Sequence, residues 1–259
     1  MLKNLKYYAG LIDADGSFDY RPAKRDNGSY YINLRVSVYQ KDKTPLIPFA
    51  EYYGVPITVC GSVFNVTLHG AKARSFTQEA LKHLVIKKGV AKFLLDTTQV
   101  TIPNEEELKK YRAMVKYMRS VPAPEKPYPS RKWMAGYVDG DGCILSSYRK
   151  KDGVIEFKLL VVSHYTQVAG LHLMQKFFGG TVIPTANKDV YRWGISLSIS
   201  QGKRVLEYFS KHLVMKKEQA DLVLECLRSK KHIRRCGATK ESNLLIHKKL
   251  QSLKDTRND

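Results

Sequence analysis

Residues 7–18 read YYAGLIDADGSF, and residues 133–144 read WMAGYVDGDGCI. Both carry A-G-x-x-D-small-D-G in the same register, and Asp15 and Asp141 stand about half of the 259-residue chain apart. A phrase of this length repeated at that interval predicts two similar domains, and an acidic residue repeated within it predicts a site built from both. A second pair of phrases follows at similar intervals: residues 83–88 are HLVIKK and residues 212–217 are HLVMKK.

The spacing inside the motif carries physical content. Read as a helix over residues 4–14, the first copy stacks Gly10 and Ala14 on one face, and the second stacks Gly136 and Gly140. Small residues four apart let two helix backbones approach closely. If the motif helices pack on each other, their C-terminal ends bring Asp15 beside Asp141. Gly16 and Gly142 are then expected to end the helices with positive φ. A carboxylate at a helix C-terminus faces the negative end of the macrodipole, and two together are worse. A hard divalent cation between them resolves the conflict, because carboxylates, free helix-end carbonyls and phosphate oxygens are ligands that Mg²⁺ accepts. Metal ions at such sites cleave phosphodiesters. An EF-hand is excluded, since the twelfth residue counted from Asp13 or Asp139 is Lys24 or Lys150 rather than an acid. Asp13 and Asp139 are expected to cap a helix or form internal salt bridges.

The charge balance points to a polyanionic partner. Lys and Arg number 44 against 24 Asp and Glu, a formal net charge of +20, and each neutralised phosphate adds affinity by releasing counterions. No apolar run is long enough to span a bilayer, and the N-terminal MLKNLKYYAG lacks the apolar core of a signal peptide. Cys60, Cys143, Cys226 and Cys236 form no C-x-x-C pair, so neither a zinc site nor a disulfide framework is expected. An intracellular, reducing location follows, without a compartment.

The segment 121–130, VPAPEKPYPS, has four prolines and reads as a linker between domains 1–120 and 131–259. In the first half, strands are expected at 17–21 and 30–40 around the Asp26-Asn27-Gly28 turn, then a helix at 43–53, a hairpin at 56–69 and two or three helices over 71–120. The second half repeats the order: strands at 143–149 and 154–163, a helix at 167–178, strands at 181–185 and 190–200, and helices at 202–212, 216–229 and 240–254. The fold class is α+β, with two pseudo-symmetric αββαββα domains and an antiparallel sheet in each.

AGLIDADG and AGYVDGDG resemble the two signature motifs of a double-motif, monomeric LAGLIDADG homing endonuclease, and the resemblance extends over essentially the whole chain. It implies a pseudo-twofold monomer whose sheets form a saddle over the major groove of double-stranded DNA. Such an enzyme is intron-encoded in many cases and cuts both strands of a long asymmetric target. It leaves short 3′ overhangs and uses Mg²⁺ or Mn²⁺, with Ca²⁺ supporting binding more than cleavage. The alternative is an RNA-binding intron maturase on the same fold, with intron RNA as partner.

Carried over by motif, Asp15 and Asp141 are the metal-binding catalytic acids, with the carbonyls of Ala14 and Gly140 as supplementary ligands. Lys87 and Lys216 match the family's basic-pocket lysine, with Lys88 and Lys217 as the alternatives. Gln40 and His164 match the polar residue ending the second strand, His164 either positioning water or touching a phosphate. DNA-reading residues are expected on the solvent faces of the strands. These are Tyr20, Arg21, Lys24, Tyr31, Asn33, Arg35 and Ser37 in the first half, and Ser147, Arg149, Lys158, Arg192, Ser196 and Ser198 in the second. Any of them can contact a base edge or a phosphate.

Overall fold

The small residues of the motif decide how the halves meet. The computed structural model describes residues 2–98, 100–121, 130–229 and 240–255. Helix α1 (Leu5–Asp15) packs along helix α6 (Arg131–Asp141). A Cβ added to Gly10 would fall 2.0 Å from the carbonyl oxygen of Trp133, and one added to Gly136 would fall 2.0 Å from that of Tyr7. Backbone therefore lies against backbone, an approach open only to glycine. One turn on, a Cβ at Gly140 would fall 2.4 Å from the Cβ of Ala14, so the two copies cannot both carry alanine there without repacking.

Each motif helix runs directly into a strand. The first half continues as β1 (Gly16–Lys24), β2 (Tyr30–Gln40), α2 (Ile47–Tyr53), β3 (Thr58–Cys60), β4 (Val63–His69), α3 (Gly70–Ala80), α4 (Lys88–Thr97), β5 (Thr101–Ile102) and α5 (Glu105–Ser120). The second continues as β6 (Gly142–Arg149), β7 (Val154–His164), α7 (Val168–Phe178), β8 (Thr181–Pro184), β9 (Val190–Ser196), α8 (Ser200–Phe209), α9 (Lys217–Arg228) and α10 (Lys240–Asp255). Strand order is β1-β2-β4-β3 in one sheet, where β5 also pairs with β2, and β6-β7-β9-β8 in the other; every pairing is antiparallel. The fold is α+β, as expected.

The alternation read in β2 holds: Ile32, Leu34, Val36 and Val38 are buried under the helices, and Tyr31, Asn33 and Arg35 lie on the open face. Ile155, Phe157, Leu159 and Val161 do the same in β7. Apart from Ile32, which packs with Ile102 and Leu108 in a smaller cluster, these side chains and the motif helices belong to one apolar core spanning both halves. Burial of these stripes is the main term holding the sheets to the helices.

Three expectations need correcting. Gly16 and Gly142 are extended, at φ −93° and −87°, not left-handed. Glycine is needed for room: a Cβ would fall 2.7 Å from Ile12 and 2.5 Å from the Val138 carbonyl oxygen. Strand β9 stops at Ser196 rather than residue 200, because Gly202 of α8 packs so closely on the Ser196 carbonyl that a Cβ would fall 1.9 Å from it. The stretch expected to be wholly helical between α3 and α5 contains β5, which extends the first sheet. The expected linker lies outside the described residues from 122 to 129.

Candidate active site

The C-terminal ends of α1 and α6 meet between the sheets and bring Asp15 and Asp141 close enough to repel each other. Burial first, and then the Asp15 charge, push the Asp141 carboxyl up to about 7. Asp15 is also raised by burial, opposed by a hydrogen bond from Gln40 and by the charges of Lys216 and Lys87. Gln40 Nε2 donates to Asp15 Oδ2 at 2.7 Å.

Asp13 and Asp139, both fully buried, anchor the loops that carry the lysines. Asp13 accepts the backbone N–H groups of Val85 and Lys87, each at 2.7 Å. Asp139 accepts those of Val214 at 2.7 Å, Met215 at 3.1 Å and Lys216 at 2.9 Å. Each ties down the N-terminal approach to α4 or α9, a structural role of the capping kind expected from sequence, exerted on a neighbouring helix. The repeated HLV-x-KK phrase thus belongs to the same construction as the motif.

Both lysines point at the motif ends. Lys87 Nζ donates to the carbonyls of Ile12 at 2.9 Å, Ala14 at 2.7 Å and Gly16 at 2.7 Å. Burial lowers its pKa, and the charges of Asp13, Asp141 and Asp15 resist that change. Lys216 Nζ donates to the carbonyl of Asp139. Lys217, one of the alternatives, is instead tied to Asp221 on the exposed side of α9, and Lys88 is the first residue of α4.

The residues fit a hard divalent cation. Two facing carboxylates in a buried setting, one held up to about 7, form a site short of positive charge. Among the described residues no cluster of three or more His, Cys, Asp or Glu could hold a metal. The donor set is therefore two carboxylates to be completed by carbonyls, water or phosphate, which suits Mg²⁺ rather than a protein-caged metal. The Ala14 carbonyl already accepts from Lys87, so as a ligand it is shared with an ammonium.

Sheet register corrects the match to Gln40. Gly16 pairs with Val38 and Gly142 pairs with Val161, so the counterpart of Gln40 is Ser163, not His164. Ser163 Oγ is buried beside Tyr137 Oη, facing that hydroxyl. His164 is exposed on the opposite strand face, its ring 4.5 Å from that of Tyr165.

The other expected residues divide by strand parity. Arg21, Tyr31, Asn33, Arg35, Ser147, Arg149, Lys158, Arg192 and Ser196 lie on the open faces. Leu145, Lys158, Arg192 and Ser196 help line a concave groove across the second sheet. Tyr20 is on the helix side, packed edge-on against Tyr111 with centroids 4.9 Å apart, and Lys24 shares its parity at the strand end. Ser37 faces outward but is 2% exposed, its hydroxyl 3.0 Å from that of Thr67. Ser198 is exposed beyond the end of β9.

Two candidates lie outside the sequence expectations, Asp19 and Arg119. Asp19 lies among the open-face residues and binds Arg35 at 2.6 Å and Arg119 at 3.0 Å; against the cost of burial, the Tyr20 backbone N–H and then these two arginines hold its carboxyl below the usual range. Alternation along β1 would have placed Asp19 opposite Arg35; Arg119, reaching from α5, gave no local signal.

With this geometry, the likenesses to known proteins agree. Residues 134–226 match the family model described as LAGLIDADG endonuclease. No curated protein sequence matches the chain. Among solved structures, I-SmaMI bound to an uncleaved DNA target with calcium ions superposes with a TM-score of 0.71 at 17% identity, covering 96% of this chain and 98% of that one. The LAGLIDADG homing endonuclease I-GzeII in complex with its DNA target gives 0.69 at 15% identity, with 98% of each chain covered. I-LtrWI bound to target DNA gives 0.68 at 14% identity, covering 97% of this chain and 98% of that one. Residues 134–226 thus match the LAGLIDADG endonuclease family model, and the whole chain has the fold of the two-domain LAGLIDADG homing endonucleases.

Proposed function

We propose that this protein is a site-specific DNA endonuclease that acts as a monomer, hydrolysing both strands of a long asymmetric duplex and leaving 3′ overhangs. The observation that carries this reading is the meeting of Asp15 and Asp141, one from each half, between two open-faced sheets on a chain of net charge +20. The similar structures bound to DNA support the same partner for this chain.

Asp15 and Asp141 would hold the metal, which supplies charge neutralisation at the phosphate and activation of water. Gln40 fixes the orientation of the Asp15 carboxylate. Lys87 and Lys216 supply two positive charges beside the pair, placed to stabilise charge developing on phosphate oxygens. Arg21, Arg35, Lys158 and Arg192 give the open faces donors for phosphates and base edges.

The test is incubation with a duplex of the uninterrupted insertion site in Mg²⁺, Mn²⁺ or Ca²⁺. Double-strand cutting in Mg²⁺ and Mn²⁺, with binding alone in Ca²⁺, is expected. Binding without cutting in any of these metals would overturn the nuclease reading and leave the RNA-binding maturase as the alternative.

A further inference from the structure

Tyr7 and Trp133 occupy the same position in the two motif copies, and each donates a hydrogen bond into the other half. Tyr7 Oη donates to Asp139 Oδ2 at 2.8 Å, and Trp133 Nε1 donates to Asp13 Oδ2 at 2.9 Å. The same two carboxylates hold the loops that deliver the lysines, Asp139 through the N–H of Lys216 and Asp13 through that of Lys87. One bonded path therefore runs from Tyr7 in the first half through Asp139 to Lys216 in the second. Its mirror runs from Trp133 through Asp13 to Lys87.

We infer that Tyr7 and Trp133 are positioning residues, each holding the opposite half's site lysine in register so that neither half is competent without the other. The inference rests on the endonuclease reading and on the placing of Lys87 and Lys216 at the site. Both carboxylates are fully buried, where a carboxylate depends on its donors and a lost one is not replaced by water. Tyr7 keeps its proton and remains a donor, because burial and the neighbouring Asp139 charge both raise its pKa. The two bonds also help to hold the halves together. That role is symmetric, whereas positioning is directional, and the direction can be measured.

The experiment uses the full-length protein and a target duplex labelled separately on each strand. Lys216→Met and Lys87→Met first show which strand each lysine serves. Tyr7→Phe removes one hydroxyl, and Trp133→Phe removes the indole donor. Tyr7→Phe is expected to slow the strand that Lys216→Met slows by about tenfold, the scale of one charge-assisted bond, and to leave the other nearly unchanged. Trp133→Phe is expected to act on the Lys87 strand. The ratio of the two strand rates does not depend on the folded fraction, so partial unfolding of a variant leaves the test intact. Equal slowing of both strands, no change, a crossed pattern, or lysine variants that do not separate by strand would overturn the inference. If the parent protein cuts neither strand, the endonuclease reading fails and the inference goes with it; a parent that cuts while Tyr7→Phe slows both strands equally sinks the inference alone.

Discussion

Gln40 donates to Asp15 at 2.7 Å, and the residue that register places opposite it in pseudo-symmetry, Ser163, lies instead beside the Tyr137 hydroxyl. The two motif aspartates are therefore not equivalent: one carboxylate is oriented by an amide, and no such contact reaches the other among the described residues. Removing the amide by Gln40→Ala should cost about 1.5–3 kcal/mol of carboxylate ordering, as expected for a hydrogen bond to a charged group. The expected outcome is a rise of roughly ten- to a hundredfold in the Mg²⁺ concentration for half-maximal cleavage. A Mg²⁺ titration that matches the parent would show that the bond does not order the site.

Ala14 and Gly140 form a complementary pair where the helices are closest. Gly140→Ala would place two Cβ atoms 2.4 Å apart, which should destabilise the protein by about 1–3 kcal/mol. The exchange Ala14→Gly with Gly140→Ala should recover most of that loss, measured by urea denaturation. The recovery should be incomplete, because the new methyl would also lie 3.2 Å from Asp15 Oδ2. A double variant no more stable than the single one would contradict the packing read here.

The pH dependence of stability follows from Asp141, whose native carboxyl is pushed up to about 7 from an ordinary 3.8. The native state keeps a proton that the unfolded chain has released between those values. Without metal, stability contributed through this group falls as pH rises across that window, and the penalty is complete above it. Asp141→Asn should therefore be more stable than the parent at pH 8 in EDTA, by up to ~4 kcal/mol, with the difference closing towards pH 4. Denaturation at pH 4, 6 and 8 checks this, and a parent at least as stable as the variant at pH 8 is the contrary result.

Asp19 holds both Arg35 and Arg119 on the open face of the first sheet. Its half-buried carboxylate both orients Arg35 and repels phosphates. Asp19→Ala should raise affinity for random duplex and steepen the salt dependence by about one phosphate contact. Discrimination in favour of the target should fall. Binding isotherms at several salt concentrations on target and random duplexes measure both effects.

Much of this was legible because it depends on local period. Small residues four apart gave the α1–α6 contact, and alternation over residues 30–40 gave the open and covered faces of β2. What failed depended on register or on distant partners. Position at the strand end matches His164 to Gln40, whereas the pairing of Gly142 with Val161 selects Ser163. The motif resemblance alone expects Tyr20 on the open face, whereas alternation from the buried Phe18 puts it under the helices. Gly16 and Gly142 are expected to end the helices with positive φ, but the strands begin in extended backbone and the glycines are there for clearance. The roles of Tyr7 and Trp133 depend on a carboxylate more than 100 positions away, which no window of sequence reports.

The central claim is that Asp15 and Asp141 form one metal site shared between the halves, and single isosteric substitutions test it most directly. Asp15→Asn and Asp141→Asn should each bind the target duplex in Ca²⁺ with affinity close to that of the parent. Each should lose cleavage in Mg²⁺ by at least a hundredfold, since a charged ligand to the metal is removed. A variant of either aspartate that still cuts both strands at the parental rate would contradict the shared site.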